Sequence, residues 1–394
     1  MHLLFATSIV PDGRLESGYE IANDAIIEAL RRNGARVTVM GLAWPGRRPP
    51  EDPDTIVLGE MDVRTQTASA VQKVRWLTEA VRAGLTFASA KLRFVGEKAV
   101  REAIGRVGPV DAYVLNSFQF AEAFQSCLTD RPTIYVAHNV EAKSARENAE
   151  SSQEPFQRAM FRREAQLLEG LEQRLCRDAR FVFTLAEEDR VALGVDSDAR
   201  SATLPLVTRR EVPNPGPRRI ECEAGLIGTW TWQPNRIGLE WFLDEVVPHL
   251  PSGFRIRIAG SMSPAMASHL AARHPSVEVM GRVPDAGAFV RSAALVPLVS
   301  RGGTGVQLKT IETFEMGLPS VATTSSLRGI AYRPENCVVA DDPRSFAAAM
   351  VALAEGEPHD VDGRAFHASQ LAVLDRQVRR GLQALAESGQ EAFA

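Results

Sequence analysis

Lysine is nearly missing from the 394-residue chain: Lys73, Lys91, Lys98, Lys143 and Lys309 stand against many arginines, a bias of the kind that a GC-rich genome produces. Each lysine that remains therefore carries extra weight. The four cysteines, Cys127, Cys176, Cys222 and Cys337, lie far apart with no Cys-x-x-Cys pair, which argues against a zinc site or disulfide framework and fits a reducing cytoplasm. No run approaches the roughly 18 apolar residues of a spanning helix. The N-terminal "MHLLFATSIVPDG" is too short an apolar run for a signal peptide and reaches Pro and Gly before any cleavage-like site. The expectation is a cytoplasmic protein, free or held peripherally on the inner face of the cell membrane. Charge of one sign is not in excess either: the net charge is -4, with 24% charged residues, so nucleic acid is not the expected partner.

What is present is the pattern of a layered α/β protein. Short apolar runs at 3–7, 37–40, 112–115, 134–137 and 181–185 alternate with helical spacing such as Ile21, Ala25, Ile26, Ala29 and Leu30, the signature of a parallel sheet wrapped by helices. "VTRREVPNPGPRRIECE", rich in proline and charge, reads as an exposed linker. Beyond it strands are expected at 226–228, 256–259, 277–280, 295–298, 321–323 and 338–340, with helices at 236–247 and 306–316. The expected domains are 1–206, a linker at 207–223 and a second domain at 224–372. A terminal helix, about 373–394, is free to pack back on the first. Two doubly wound Rossmann-like domains place the carboxyl ends of two sheets opposite each other, so a cleft between them is the expected site.

The stretch "SRGGTGVQLKTIETFEMGLPSVATTS" (300–325) reads as strand end, loop of small residues and helix. Glycines at 302, 303 and 305 let a phosphate approach backbone, the helix start offers free N–H groups, and Lys309 adds a full charge. Glu312, three residues on, shares its helix face and is placed either to pair with Lys309 or to accept from a ribose diol. The Walker spacing is absent. His138 follows a strand end, where it contacts a sugar or an acceptor hydroxyl, or else is a core histidine bonded to backbone.

Read as one piece, "GLIGTWTWQPNRIGLEWFLDEVVPHL", "RIRIAGS" and "VEVMGRVPDAGAFVRSAALVPLVSRGGTGVQLKTIETFEMGLPSVATTSSLRGI" resemble the nucleotide-sugar domain of GT-B glycosyltransferases similar to family 4 (group 1). "TIYVAHNVEAKSARENA" resembles a His-Asn-Val-Glu segment of the same group, and "FATSIVPDGRLESG" sits where the family has its N-terminal glycine loop. The resemblance implies a nucleoside-diphosphate sugar as donor. Lys309 would take the diphosphate, Glu312 the ribose, Arg282 and Val283 the neighbourhood of the base, and Gly228, Thr229, Arg301, Gly302, Gly303, Thr304 and Gly305 the rest of the donor site. It implies His138 as the catalytic side chain and places Gly18, Asn116 and Asn139 in the cleft, with retaining transfer to a glycan or lipid-linked glycan in bacterial surface polysaccharide or glycoconjugate synthesis.

One position departs from the family. The usual pair is a glutamate, seven residues and a second glutamate; Glu312 matches the second, and Thr304 stands at the first. That departure motivates a second reading, a non-catalytic nucleotide-sugar scaffold or sensor. A third, epimerisation, would need more clustered acids and histidines than His138. The Asp-x-Asp strings at Asp52, Asp196 and Asp360 lie in polar or Pro-rich loops and read as solvated acids, so no metal and no cofactor are expected. The segment 72–101, with seven basic and two acidic residues around Trp76, Leu77, Leu85, Phe87, Leu92 and Phe94, has two readings. It is a basic amphipathic surface that meets anionic lipid, or its apolar stripe packs on the first sheet and its charges are solvated.

Overall fold

A computed structural model describes the chain except residues 15–16, 48, 50–51, 66–67, 214–215, 357–358 and 392–394, with side chains described to residue 387. Parts of the N-terminal glycine loop (15–16), the linker (214–215) and the terminal helix (392–394) therefore lie outside the described residues.

The chain forms two units, one of 1–206, 304–306 and 372–394, the other of 207–303 and 307–371. The first holds a seven-stranded sheet of β1 (His2–Ile9), β2 (Arg36–Ala43), β3 (Thr55–Glu60), β4 (Ala112–Asn116), β5 (Thr133–Ala137), β6 (Phe181–Thr184) and β7 (Ser201–Thr203), in the order β3-β2-β1-β4-β5-β6-β7. Every pair is parallel. A parallel sheet needs helices on both faces, so its central strands are mainly apolar and buried: β1 is buried from Leu3 to Ile9, with Thr7 and Ser8 the polar residues near its end. The chain reverses winding between β1 and β4, the place where open sheets of this kind bind ligands.

The second unit repeats the design with β8 (Cys222–Thr229), β9 (Ile256–Ser261), β10 (Val277–Gly281), β11 (Ala293–Leu298), β12 (Ser320–Ala322) and β13 (Cys337–Val339), ordered β10-β9-β8-β11-β12-β13. Here too all pairs are parallel. Its switch lies between β8 and β11.

The helices that matter below are α1 (Gly18–Arg32), α2 (Ala70–Ala83), α3 (Glu141–Ser151), α4 (Pro155–Asp178), α5 (Gln233–Trp241), α6 (Ala286–Arg291), α7 (Leu308–Glu315) and α8 (Gly363–Glu391). Ser17 caps α1 with a reciprocal box: its Oγ accepts from Glu20 N at 3.3 Å, and Glu20 Oε2 accepts from Ser17 N at 2.8 Å.

Several boundaries differ from the sequence reading. Two edge strands, β3 and β7, were not expected; β3 is only half-buried and β7 has three residues, so neither carries a strong apolar run. The helix expected at 236–247 starts three residues earlier as α5 and passes at Trp241 into a π turn (Phe242–Val246), then a short 3-10 turn containing Pro248. α7 begins at Leu308 rather than 306, because Gly303 and Gly305 hold φ of 94° and 74°, outside the helical region.

The linker is less exposed than its composition suggests. Residues from 207 group with the second unit, β8 begins inside the expected linker at Cys222, and the Arg218 side chain is 4% exposed, donating from Nε to Asp360 at 2.7 Å. Asp360, an exposed loop acid as expected, is also the partner of a buried arginine. Asp362 binds Arg364, Asp54 binds Arg36, and Asp198 binds Arg190. α8 starts at Gly363, ten residues before the expected helix, and groups with the first unit from Ala372. There Asp375 binds Arg32 at 2.7 Å and Ala384 O accepts from Arg180 Nε at 3.1 Å.

The 72–101 segment divides between the two readings. Trp76 and Leu92 join the core of the first unit, and Leu77, Leu85 and Phe87 are half-buried. Lys91 is itself buried, donating to Val63 O at 2.9 Å and Thr65 Oγ1 at 2.7 Å with its ammonium over the Phe87 ring at 4.9 Å; burial lowers its pKa to about 8. Val71, Val74 and Val81 stay exposed on α2 beside Arg75 and Arg82. Among the described residues no helix is long and apolar enough to cross a membrane.

Candidate functional site

In the second unit a pocket of about 120 Å³ opens at the carboxyl ends of β8 and β11, the switch point of that sheet. Lys309 and Glu312 of α7 line it, with Trp230 and Asn235 from the loop and helix after β8, and Gly287 and Val290 from α6. Among the described residues neither the Lys309 ammonium nor the Glu312 carboxylate has a hydrogen bond or ion pair, so the two do not pair with each other as the simpler alternative required. Lys309 Nζ rests 5.0 Å from the centre of the Trp230 ring. Burial lowers the Lys309 pKa to about 8, opposed by the charge of Glu312, and burial raises that of Glu312, opposed first by Arg209. Partly desolvated charges without partners are costly to keep. They are the groups that a bound anion and a hydroxyl pair would satisfy.

The lysine fits because residue 228 is glycine. A Cβ there would lie 2.7 Å from Lys309 Nζ and 3.0 Å from the Trp230 indole. Gly228→Ala is therefore expected to displace the ammonium and weaken anion binding in the pocket by about 10- to 100-fold with the fold intact, as loss of a charged partner does; calorimetry with inorganic pyrophosphate and a parallel melting curve check it.

Arg209 is a wall of the pocket that the sequence reading missed, because it sits in what looked like linker. Glu315, on α7 with a wholly buried side chain, holds it: the carboxylate accepts from Arg209 Nε at 3.2 Å, from Thr208 N at 3.0 Å and from Thr208 Oγ1. Trp230, a buried floor under Lys309, also escaped the sequence reading. It donates from Nε1 to Ala259 O at 2.8 Å, which fixes the ring.

The other donor residues expected from sequence are scattered. Thr229 ends β8 and its carbonyl accepts from Asn235 Nδ2 at 3.1 Å, at the pocket rim. Arg282 and Val283 lie in the turn before α6, Arg282 exposed and 3.5 Å from Ser261 Oγ. Arg301 is engaged elsewhere, its guanidinium 4.5 Å over Trp241 and Nη1 donating to Asp341 O at 2.9 Å. Gly302 is exposed and Gly303 half-buried. Thr304 and Gly305 group with the first unit: Thr304 Oγ1 is 3.0 Å from Ser144 Oγ, and Gly305 N donates to Asp189 at 2.7 Å. A Cβ on Gly305 would meet Asn139 Oδ1 at 2.2 Å, so the bare Cα of Gly305 admits Asn139.

In the first unit the carboxyl ends of β1, β4 and β5 carry a second polar cluster. His138, 8% exposed, places Nε2 at 2.8 Å from Asn116 Oδ1 and its ring 5.1 Å from Tyr19. It is buried, as the simpler reading had it, but its bond is to a side chain and not to backbone. Burial alone lowers its pKa to about 4, so the ring is neutral near pH 7. The turn after it is held by Glu172 of α4, whose buried carboxylate accepts from Glu141 N at 2.6 Å and Ala142 N at 3.3 Å at the start of α3. Asn139 donates to Glu141 Oε1 at 3.1 Å. Asn116 is wholly buried, and Gly18 is exposed as the first residue of α1. Sequence reasoning missed Thr7, Tyr19 and Asn23 of this cluster, because they fall within an apolar strand and an amphipathic helix.

Residues 222–356 match the family described as glycosyl transferases group 1. Apart from residues 304–306, the matched stretch lies within the second unit. The glycosyl transferase match spans β8 to the helix after β13, and so includes Gly228, Lys309 and Glu312. No curated protein sequence matches the chain. Among solved structures, a sucrose-phosphate synthase from Thermosynechococcus elongatus aligns over 100% of this chain and 99% of its own at 15% identity, with a TM-score of 0.63. The Anabaena protein HepE in complex with UDP aligns over 99% and 100% at 13% identity, TM-score 0.56. WaaG, a glycosyltransferase involved in lipopolysaccharide biosynthesis, aligns over 97% and 98% at 14% identity, TM-score 0.56. These likenesses give the fold: two Rossmann-like domains of the GT-B type.

Proposed function

We propose that the protein transfers a sugar from a nucleoside-diphosphate sugar to a glycan or lipid-linked glycan acceptor, with retention at the anomeric carbon and without a metal ion. The observation that carries this reading is the pair of unpartnered charges, Lys309 and Glu312, lining one pocket at the switch point of the second sheet. In it Lys309 and the start of α7 neutralise the diphosphate, and Glu312 accepts from the ribose hydroxyls. As the bond from the anomeric carbon to the diphosphate oxygen breaks, the acceptor oxygen bonds that carbon from the same face and its proton passes to the departing diphosphate. His138 contacts the transferred sugar or the acceptor hydroxyl. Thr304 stands in place of the family's first glutamate, so that position offers no carboxylate to the sugar.

The fold is shared with a HepE structure that holds UDP, which supports a uridine nucleotide as the first donor to try. The exposed valines and arginines of α2 support contact with an anionic membrane on the inner face of a bacterial cell, the setting of surface polysaccharide or glycoconjugate synthesis.

The test is calorimetry with UDP, GDP and their 2′-deoxy forms. Glu312→Ala is expected to weaken the preferred nucleoside diphosphate by about 10- to 100-fold, as loss of a charged hydrogen-bond partner does, and to abolish the preference for the ribose 2′-hydroxyl. Equal affinity in the folded variant and the parent would remove Glu312 from the site.

A further inference from the structure

His138 is bonded to a chain of amides whose direction is fixed at its far end. Ile9 O, a backbone carbonyl, can only accept, and Asn23 Nδ2 reaches it at 3.3 Å and Thr7 Oγ1 at 3.1 Å. The amide nitrogen of Asn23 is thereby committed, and its Oδ1 faces Asn116. Asn116 Nδ2 donates to that oxygen at 2.6 Å and turns toward Thr7 Oγ1 at 3.2 Å. Asn116 Oδ1 is left to face His138 Nε2 at 2.8 Å. Turning the Asn116 amide over would set two carbonyl oxygens 2.6 Å apart; turning both amides would set Asn23 Oδ1 against Ile9 O. Neither arrangement is tolerable where Thr7, Asn23 and Asn116 are all buried.

We propose that Asn116, oriented by Asn23, is a positioning residue that holds His138 in a single tautomer, with the proton on Nε2 and the lone pair on Nδ1. The bearing on transfer rests on the function proposed above; the tautomer does not. Among the described residues Tyr19 of α1 is the titratable side chain packed on the ring, and Asn116 of β4 is the polar one bonded to it. Burial is the sole cause of the lowered His138 pKa, so the neutral ring persists through the physiological range. In that state Nδ1 accepts a hydrogen bond from a hydroxyl and has no proton to give. His138 therefore acts on a hydroxyl of the sugar or acceptor and leaves the departing diphosphate oxygen to Lys309.

The experiment is ring-nitrogen NMR of the full chain labelled with ¹⁵N-histidine, in which His138→Gln assigns the resonance among seven histidines. The expected result is one Nε2-H tautomer, unchanged from pH 8 to pH 5. Asn116→Asp, which sets a carboxylate against the ring, is expected to raise the His138 midpoint by at least about one pH unit and to move the acid limb of the transfer profile by the same amount. Asn23→Leu, which removes the anchor while leaving Asn116 in place, is expected to release the tautomer to a mixture. An Nδ1-H tautomer in the parent chain, or an unmoved midpoint in folded Asn116→Asp, overturns the proposal. Full transfer by His138→Gln overturns the catalytic reading of His138 and leaves the tautomer standing, so the two failures are distinguishable.

Discussion

His138→Ala is expected to lower sugar transfer by about 10²-fold, the cost of misplacing a reacting group, while nucleoside-diphosphate affinity stays unchanged. The separation follows from position. The residues that line the pocket of the second unit come from β8, β11, α6, α7 and their neighbours, whereas His138 follows β5 in the first and is bonded to Asn116 there. Truncation also leaves Asn116 Oδ1 without its donor in a buried setting, a loss of about 1–3 kcal/mol of stability, so turnover must be read below the variant's own melting transition. Kinetics and calorimetry on one preparation check both halves. Wild-type turnover would return His138 to a purely structural role, and lost nucleotide binding would place it in the donor pocket.

Lys309→Ala carries the second large effect: a fall in turnover of about 10²- to 10³-fold, as when one preorganised donor to a developing oxyanion is removed, together with weaker nucleotide binding. In the proposed reaction the lysine, unlike His138, meets the diphosphate in both the ground state and the transition state, so both KM and kcat are expected to suffer. The pH dependence has a definite sign. Burial has already lowered the pKa to about 8. A bound diphosphate favours the ammonium and raises that value, so binding takes up protons and weakens as pH rises above about 8. Lys309→Ala is expected to lose that slope. Calorimetric titrations at pH 7 and pH 9 read it, and an identical slope in parent and variant would assign the proton uptake to another group.

The fold was legible in the sequence wherever burial on both faces forces an unbroken apolar run, as at Leu3–Thr7, Ile134–Ala137 and Leu295–Leu298. Edge strands β3 and β7 carry no such constraint, one being half-buried with Gly59 and Glu60 at its end and the other three residues long. α7 was misplaced by two residues because positive φ at Gly305, not composition, sets where it begins. Lys309 and Glu312 were legible because helical spacing puts i and i+3 on one face and lysine is rare here. Arg209 and Asn23 were not. Arg209 reaches the pocket only through Glu315, an acid 106 positions later, and Asn23 reaches His138 only through Asn116, 93 positions later. Contacts of that span leave no local signal. At Gly305 the missing side chain makes room for Asn139, a partner 166 positions earlier that the sequence reading did not foresee.

The central claim is that a nucleoside-diphosphate sugar bound beside Lys309 is broken at its anomeric carbon. It is tested most directly by incubating the protein with UDP- and GDP-sugars labelled in the sugar, with and without a set of glycan and lipid-linked acceptors, and following the label and the free nucleoside diphosphate together. The account predicts acceptor-dependent movement of label with equimolar release of one nucleoside diphosphate, both lost in Lys309→Ala. Tight binding of a nucleotide sugar with neither release nor transfer across the acceptor set would contradict it.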